Sequence, residues 1–124
     1  MTYQLTVSQN PAYLHIIVTG QNSVENVLKY FEDIHLECTV RNCFSILIEE
    51  RLDGPRLSTI NIFNIVQNES IRSRGFFKVI AYVDVNGNYD SMKFAETVAV
   101  NRGLPVAVFQ TIAEAQKWMK DKYC

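Results

Sequence analysis

Beyond two strand-like segments at its start, the chain alternates strand patterns with helix patterns, and this alternation limits the fold more than any other feature. A strand shows apolar residues at a period of two, a packed helix a stripe at spacings of three and four. Tyr3, Leu5 and Val7 alternate with Thr2, Gln4 and Thr6, as on an edge strand with one wet face. Gln9, Asn10 and Pro11 supply a turn, and residues 13–19 read as a second strand, so the short link makes the pair an antiparallel hairpin. From there each helix links two strands, which predicts parallel pairing with right-handed crossovers. The expected order is ββαβαβαβα: one α/β domain over residues 1–124, with a mixed five-stranded sheet and four helices.

The helices carry their own start and stop signals. Ser23 caps the first, with Glu25 in its first turn and Val24, Val27, Leu28, Phe31, Ile34 and Cys38 on one stripe; it ends near Arg41 and Asn42. Residues 44–49 form the third strand and 51–56 a loop punctuated by Gly54 and Pro55. Ser58 or Thr59 caps the second helix, Ile62, Phe63 and Val66 face inward, and Gly75 stops it. After the fourth strand, 77–85, Asp90 caps a third helix with Phe94, Ala95 and Val98 inward and Gly103 as its stop. A short fifth strand covers 106–109. Thr111 and Glu114 then form a T-x-x-E capping box, opening a last helix that buries Ala115, Trp118 and Met119.

Composition narrows the function classes. With 124 residues, 48% of them apolar, the chain has material for one core. A net charge of −1 and scattered basic residues lack the basic excess of a nucleic-acid binder. No apolar run approaches the ~20 residues of a membrane span, and the first residues show no signal-peptide pattern. The three cysteines, Cys38, Cys43 and Cys124, form no C-x-x-C pair and read as free thiols of a reducing, cytoplasmic setting. Cys38 and Cys43 with His15 and His35 fit no zinc spacing, so neither metal nor cofactor is expected.

Within the strands, one face is apolar and the other mixed. Leu14, Ile16 and Val18, then Phe44, Ile46 and Ile48, then Phe77, Val79, Ala81 and Val83 are assigned to the face under the helices. The mixed face takes Tyr13, His15, Ile17, Leu47, Ile80 and Tyr82. Of these, Tyr13, Ile17, Leu47, Ile80 and Tyr82 would project together. They form either a surface for a protein partner or a homodimer, or a partly solvated face of a monomer.

Glu49, Glu50 and Asp53 cluster at the end of the third strand and Asp84 ends the fourth, where open α/β sheets hold their ligands. Paired carboxylates there would suit a metal ion or acid–base work. Glu49 and Glu50 point to opposite faces, however, and neither His nor Lys is their evident partner, so a solvated loop is the expectation. No glycine-rich phosphate loop, nucleophile elbow or Ser/His/Asp set occurs. With no catalytic constellation, the chain reads as non-enzymatic.

The C-terminal third carries a resemblance. Lys93-Phe94-Ala95-Glu96, Arg102-Gly103-Leu104-Pro105-Val106, Val108-Phe109 and Ala113-Glu114-Ala115-Gln116-Lys117-Trp118-Met119 resemble the ending of the SpoIIAA-like (STAS/SEC14-type) family of small bacterial proteins. The element order resembles the STAS fold over the whole chain. This implies a regulatory module acting through protein contacts or, by the SEC14 kinship, a carrier of a small apolar, lipid-like ligand. A pocket lined by Phe63, Phe76, Phe77 and Phe94 would favour the carrier, and a tightly packed core would count against it. Anti-sigma-factor antagonists carry a phosphorylatable serine in D-S-S-G where this chain has Leu57-Ser58-Thr59-Ile60. The hydroxyls of Ser58 and Thr59 are present but the acid and the glycine are not, and a helix cap is the simpler reading for Ser58.

Overall fold

The computed structural model describes residues 2–124. Its elements are β1 (Tyr3–Gln9), β2 (Leu14–Gln21), α1 (Val24–Arg41), β3 (Ser45–Asp53), α2 (Thr59–Arg72), β4 (Val79–Asp84), α3 (Tyr89–Asn101), β5 (Val106–Val108) and α4 (Ile112–Met119). The sheet runs β1-β2-β3-β4-β5 in space, with β1 antiparallel to β2 and every other pair parallel. The α/β class, the mixed five-stranded sheet and the element order are those expected from the sequence.

Side-chain caps fix the helix starts. Ser23 Oγ accepts from Asn26 N–H at 3.0 Å, Ser58 Oγ from Asn61 N–H and Thr111 Oγ1 from Glu114 N–H, both at 3.2 Å. Each satisfies one of the donors a helix leaves free in its first turn. For α3 the cap is Asn88, accepting from Ser91 N–H at 3.2 Å, and not Asp90, which falls within the first turn. Asn42 ends α1 in the left-handed region at φ 52°. Gly20 is a steric necessity. At φ +128° its missing Cβ would lie 2.6 Å from Thr2 O and Tyr3 Cα, so β1 closes on β2 only over a glycine.

Sequential strand order and right-handed crossovers place the connecting helices α1, α2 and α3 on one face of the sheet. That inner face carries Leu14, Ile16, Val18, Ile46, Ile48, Leu52 and Ile80, packed with Val27, Tyr30, Ile34 and Cys38 of α1. Tyr30 belongs to this buried stripe. On α3, Phe94 points outward at 44% exposure, and Val98 and Ala99 are the buried residues.

The other face departs from expectation. Helix α4 folds back across it, and Ala115 and Met119 pack on Tyr13, Leu47, Ala81 and Val83. Trp118 is half-buried beside Phe109, ring centroids 5.4 Å apart, and Met119 takes the deep position instead. The sheet therefore has helices on both sides. The five residues grouped as one open patch are also divided. Ile46 pairs with Ile80 and Ile48 with Tyr82, which turns Ile80 and Tyr82 to the inner face. Tyr13 and Leu47 are buried under α4, and only Ile17 of the group remains half-exposed on the outer face. The covering that a protein partner or a homodimer would have supplied comes from this chain's own last helix.

The cysteines correct a further expectation. Cys43 and Cys124 form a disulfide across a separation of 81 residues, and Cys38 alone is free and buried. The bond ties residue 124 to the start of β3, where Ser45 Oγ also donates to Tyr123 O at 2.6 Å. Free thiols in a reducing compartment thus lose their ground as an argument for a cytoplasmic setting. Among the described residues no helix is long and apolar enough to cross a membrane.

Candidate functional site

β3 continues through Glu50 and Leu52, past the point where the sequence suggested a loop. The alternation of side chains continues with it. Glu49 turns to the outer face and Glu50 to the inner one. Glu50 is the register partner of Asp84 at the end of β4, so two carboxylates stand side by side on the inner face. Both are withdrawn from water: Glu50 is 3% exposed and the Asp84 side chain 6%. The expected solvated loop is a buried acidic pair.

The surroundings of the pair come from four elements. Tyr30 of α1 donates its hydroxyl to Glu50 Oε2. Tyr82 of β4 lies beside the same carboxylate, half-buried. Arg56, in the segment between β3 and α2, reaches Asp84 Oδ1 with Nη1 at 3.6 Å, too far for a hydrogen bond. Its Nη2 donates to Leu52 O at 2.8 Å and Gly54 O at 3.1 Å, which fixes the guanidinium at the rim. Asp84 Oδ1 is buried with no hydrogen-bond partner. The turn after β4 closes over Asp84, where a Cβ on Gly87 would lie 2.0 Å from Oδ2.

Burial first, and then the charge of Asp84, push the Glu50 carboxyl up to about 7 against the opposing hydroxyls of Tyr30 and Tyr82 and the charge of Arg56. Asp84 is raised by burial, against the charge of Arg56 and the backbone N–H groups of Asn86 and Gly87, which lower it. Tyr30 and Tyr82 are raised well above the ordinary phenol, by burial and then by Glu50, and stay neutral.

The acids open onto a cavity of about 130 Å³ between the inner sheet face and helices α1–α3. Its walls are mainly apolar: Val27 and Phe31 from α1, Ile62, Ile65 and Val66 from α2, Met92, Ala95 and Ala99 from α3, Val106 and Val108 from β5. Two further acids line it with partners of their own. Glu69 takes Ser73 Oγ and Arg72 Nη1, both at 3.4 Å, and Glu96 accepts Val108 N–H at 2.6 Å and pairs with Lys93 at 2.7 Å. The four phenylalanines whose pocket would have favoured a carrier do not line this cavity. Phe76 and Phe77 pack on His35 at 4.2 and 5.3 Å, Phe63 lies under Arg102 at 5.2 Å, and Phe94 faces outward.

On the outer face, Glu49 has the partner that sequence reasoning missed. His15 Nε2 lies 2.7 Å from Glu49 Oε1, and Arg51 donates from Nε to Oε2. Burial alone would raise Glu49, but the bonds from Arg51 and then His15 outweigh it and hold the carboxyl below its usual range. His35 lies elsewhere, 2.8 Å from Ser73 Oγ. Among the described residues no three His, Cys, Asp or Glu side chains gather as a metal site. Ser58 and Thr59 are exposed at the start of α2, Ser58 serving as its cap, next to the cavity-lining Arg56 and Leu57.

No family model, curated protein or solved structure matches the chain. The SpoIIAA-like resemblance rests on element order and the C-terminal motifs alone. The sequence signal for the site was present in outline. Acids end two neighbouring strands, and continuing the alternation past Glu49 puts Glu50 on the apolar side. Tyr30 and Arg56 gave no comparable sign.

Proposed function

We propose that the protein is a non-enzymatic ligand-binding module of STAS/SpoIIAA-like type, and that its working part is the cavity between the sheet and α1–α3. The observation that carries this reading is the cavity of about 130 Å³, walled mainly by apolar side chains and carrying a few polar groups, among them Glu50, Arg56 and Asp84. This is the usual composition of a small-molecule site, and it sits near the carboxyl ends of β3 and β4, where open α/β sheets hold ligands. An apolar cavity of comparable size, ~150 Å³, accepts a benzene-sized guest. The ligand is accordingly compact and largely apolar, in keeping with the carrier role that the resemblance implies. Benzyl alcohol should raise Tm in a dose-dependent manner. Ala95→Leu, which fills the cavity from α3, should abolish that rise while the variant stays folded. A Tm indifferent to benzyl alcohol, or an unchanged rise in the variant, counts against the cavity as the site.

Regulation through a protein partner is the second reading. It is favoured by the exposed run Ser58, Thr59 and Ile60, the last 64% exposed, at the rim of the same cavity. There a ligand inside and a partner outside would touch the same segment.

A further inference from the structure

When both of its members are ionised, the inner acidic pair carries more negative charge than Arg56, the one cation beside it among the described residues, offsets. Glu50 and Asp84 are register partners on one face, so their carboxylates cannot move far apart. Each is buried, and burial of like charges side by side is costly unless a cation or proton intervenes. Arg56 is the cation at hand, and it makes only a 3.6 Å ion pair to Asp84 Oδ1 while its other nitrogen is committed to Leu52 O and Gly54 O. Asp84 Oδ1 is left buried with no hydrogen-bond donor, on a side chain 6% exposed that lines the cavity. An unpaired buried acceptor of this kind is uncommon and marks a place where a donor from outside would be gained.

The remaining charges sharpen the ligand class. Glu69 and Glu96, the other acids of the lining, are engaged by Arg72 and Lys93. The Glu50–Asp84 pair against Arg56 therefore leaves one negative charge in excess when both acids are ionised. A carboxylate or phosphate ligand would meet two carboxylates. A bare or hydrated metal ion would find apolar walls instead of the six or more oxygen ligands it prefers. An ammonium supplies both the charge and the N–H donors, and the apolar walls suit a hydrocarbon body.

We propose that the cavity binds a compact organic cation, an ammonium group on an apolar body, with its N–H donors held between Glu50 and Asp84. The inference rests on the cavity reading above and names its ligand class. Binding would replace a proton. Glu50, which faces Tyr30 from α1, Tyr82 and Asp84 from β4 and Arg56 from the β3–α2 segment, holds a proton up to about pH 7, while Glu69 of α2 and Glu96 of α3 on the same lining are paired with Arg72 and Lys93. The cation is therefore bound more weakly in acid, where that proton must be displaced.

Benzylammonium, benzyl alcohol and benzoate share nearly one shape and differ in charge. Calorimetric titration of the intact chain with each, at about pH 6 and about pH 8, separates charge from burial. At the higher pH benzylammonium should bind roughly tenfold or more tighter than benzyl alcohol, the worth of hydrogen bonds to a charged group. Benzoate should not bind, and the preference should shrink at the lower pH. Asp84→Asn and Glu50→Gln should each remove the preference while leaving benzyl alcohol binding in place. If one variant fails to fold, the other carries the comparison, and the three-probe order in the unmodified chain decides alone. Alcohol or benzoate binding as well as the ammonium overturns the cation assignment and leaves the cavity reading standing. Failure of all three to bind overturns both.

Discussion

Glu49 and Glu50 follow one another on β3 and live in opposite chemistries. Glu49 faces the α4 side of the sheet, where His15 and Arg51 meet its carboxylate and hold it ionised. Glu50 faces the helical layer, where two phenols and a second carboxylate meet it and favour its protonated form. Burial is nearly equal, 5% and 3% exposed. The difference lies in which partners each face of the sheet delivers. A strand alternates its side chains by geometry alone, so one step along the chain exchanges the whole electrostatic environment. The outer pair is a satisfied ion-pair cluster. In the inner pair Asp84 Oδ1 has no hydrogen-bond partner and the carboxylates open on a cavity, which is why the ligand argument belongs there.

The largest test of the contrast between faces concerns the outer layer. Leu47 is 0% exposed beneath α4, whereas Ile17 on the same face is half-exposed. Leu47→Lys should unfold the protein, since an unpaired buried charge costs several kcal/mol of a total of about 5–15. Ile17→Lys should cost within ~1 kcal/mol. Urea unfolding followed by circular dichroism measures both, and a stable Leu47→Lys variant would show that α4 does not cover the sheet.

The next test reads the two acids directly through pH. Folded Glu50 keeps its proton to about 7, while the unfolded group releases it near 4.5. Its contribution is full below 4.5 and is lost as pH rises through about 7, up to ~3 kcal/mol in all. Glu50→Gln should flatten that decline. Glu49 is lowered instead, so its contribution is present above 4.5 and lost as pH falls through the folded value. Glu49→Gln should cost ~1 kcal/mol near neutrality, and the gap should close in acid. Stability profiles of the two variants that run parallel to the parent would erase the distinction between the faces.

The smallest effect belongs to Ser58, at the rim of the inner side. Ser58→Ala should lose about 1 kcal/mol and Ser58→Asp almost nothing, because aspartate caps as well as serine. Pull-down from the native cell checks the second reading, in which Ser58→Asp changes which proteins co-purify with the chain.

Much of the architecture was legible locally. Period-two and three-four patterns, the caps at Ser23, Ser58 and Thr111, and the lengths of the connections all act over a few residues, and the elements followed them. The departures lie at α3 and at β3. At α3, the helix began earlier than read, with Asn88 and not Asp90 as its cap, and packing against the neighbouring elements buried Val98 and Ala99 and left Phe94 exposed. At β3, an acidic run looked like a loop, although strand pairing with β4 carries Glu50 to Asp84.

By itself the sequence determined the class of fold, the antiparallel start, the parallel remainder and the alternation within each strand. Only the tertiary structure decided how the strands align with one another. Ile80 and Tyr82 share a face with Ile46 and Ile48 because of the β3–β4 register, and that register is set by packing across the whole layer. The same holds for α4, which closes the outer face, and for Cys43 and Cys124, joined across 81 residues. Periodicity reports which residues of one element lie together. It carries no information on which face of the next element they meet, and the Glu50–Asp84 pair exists only at such a meeting.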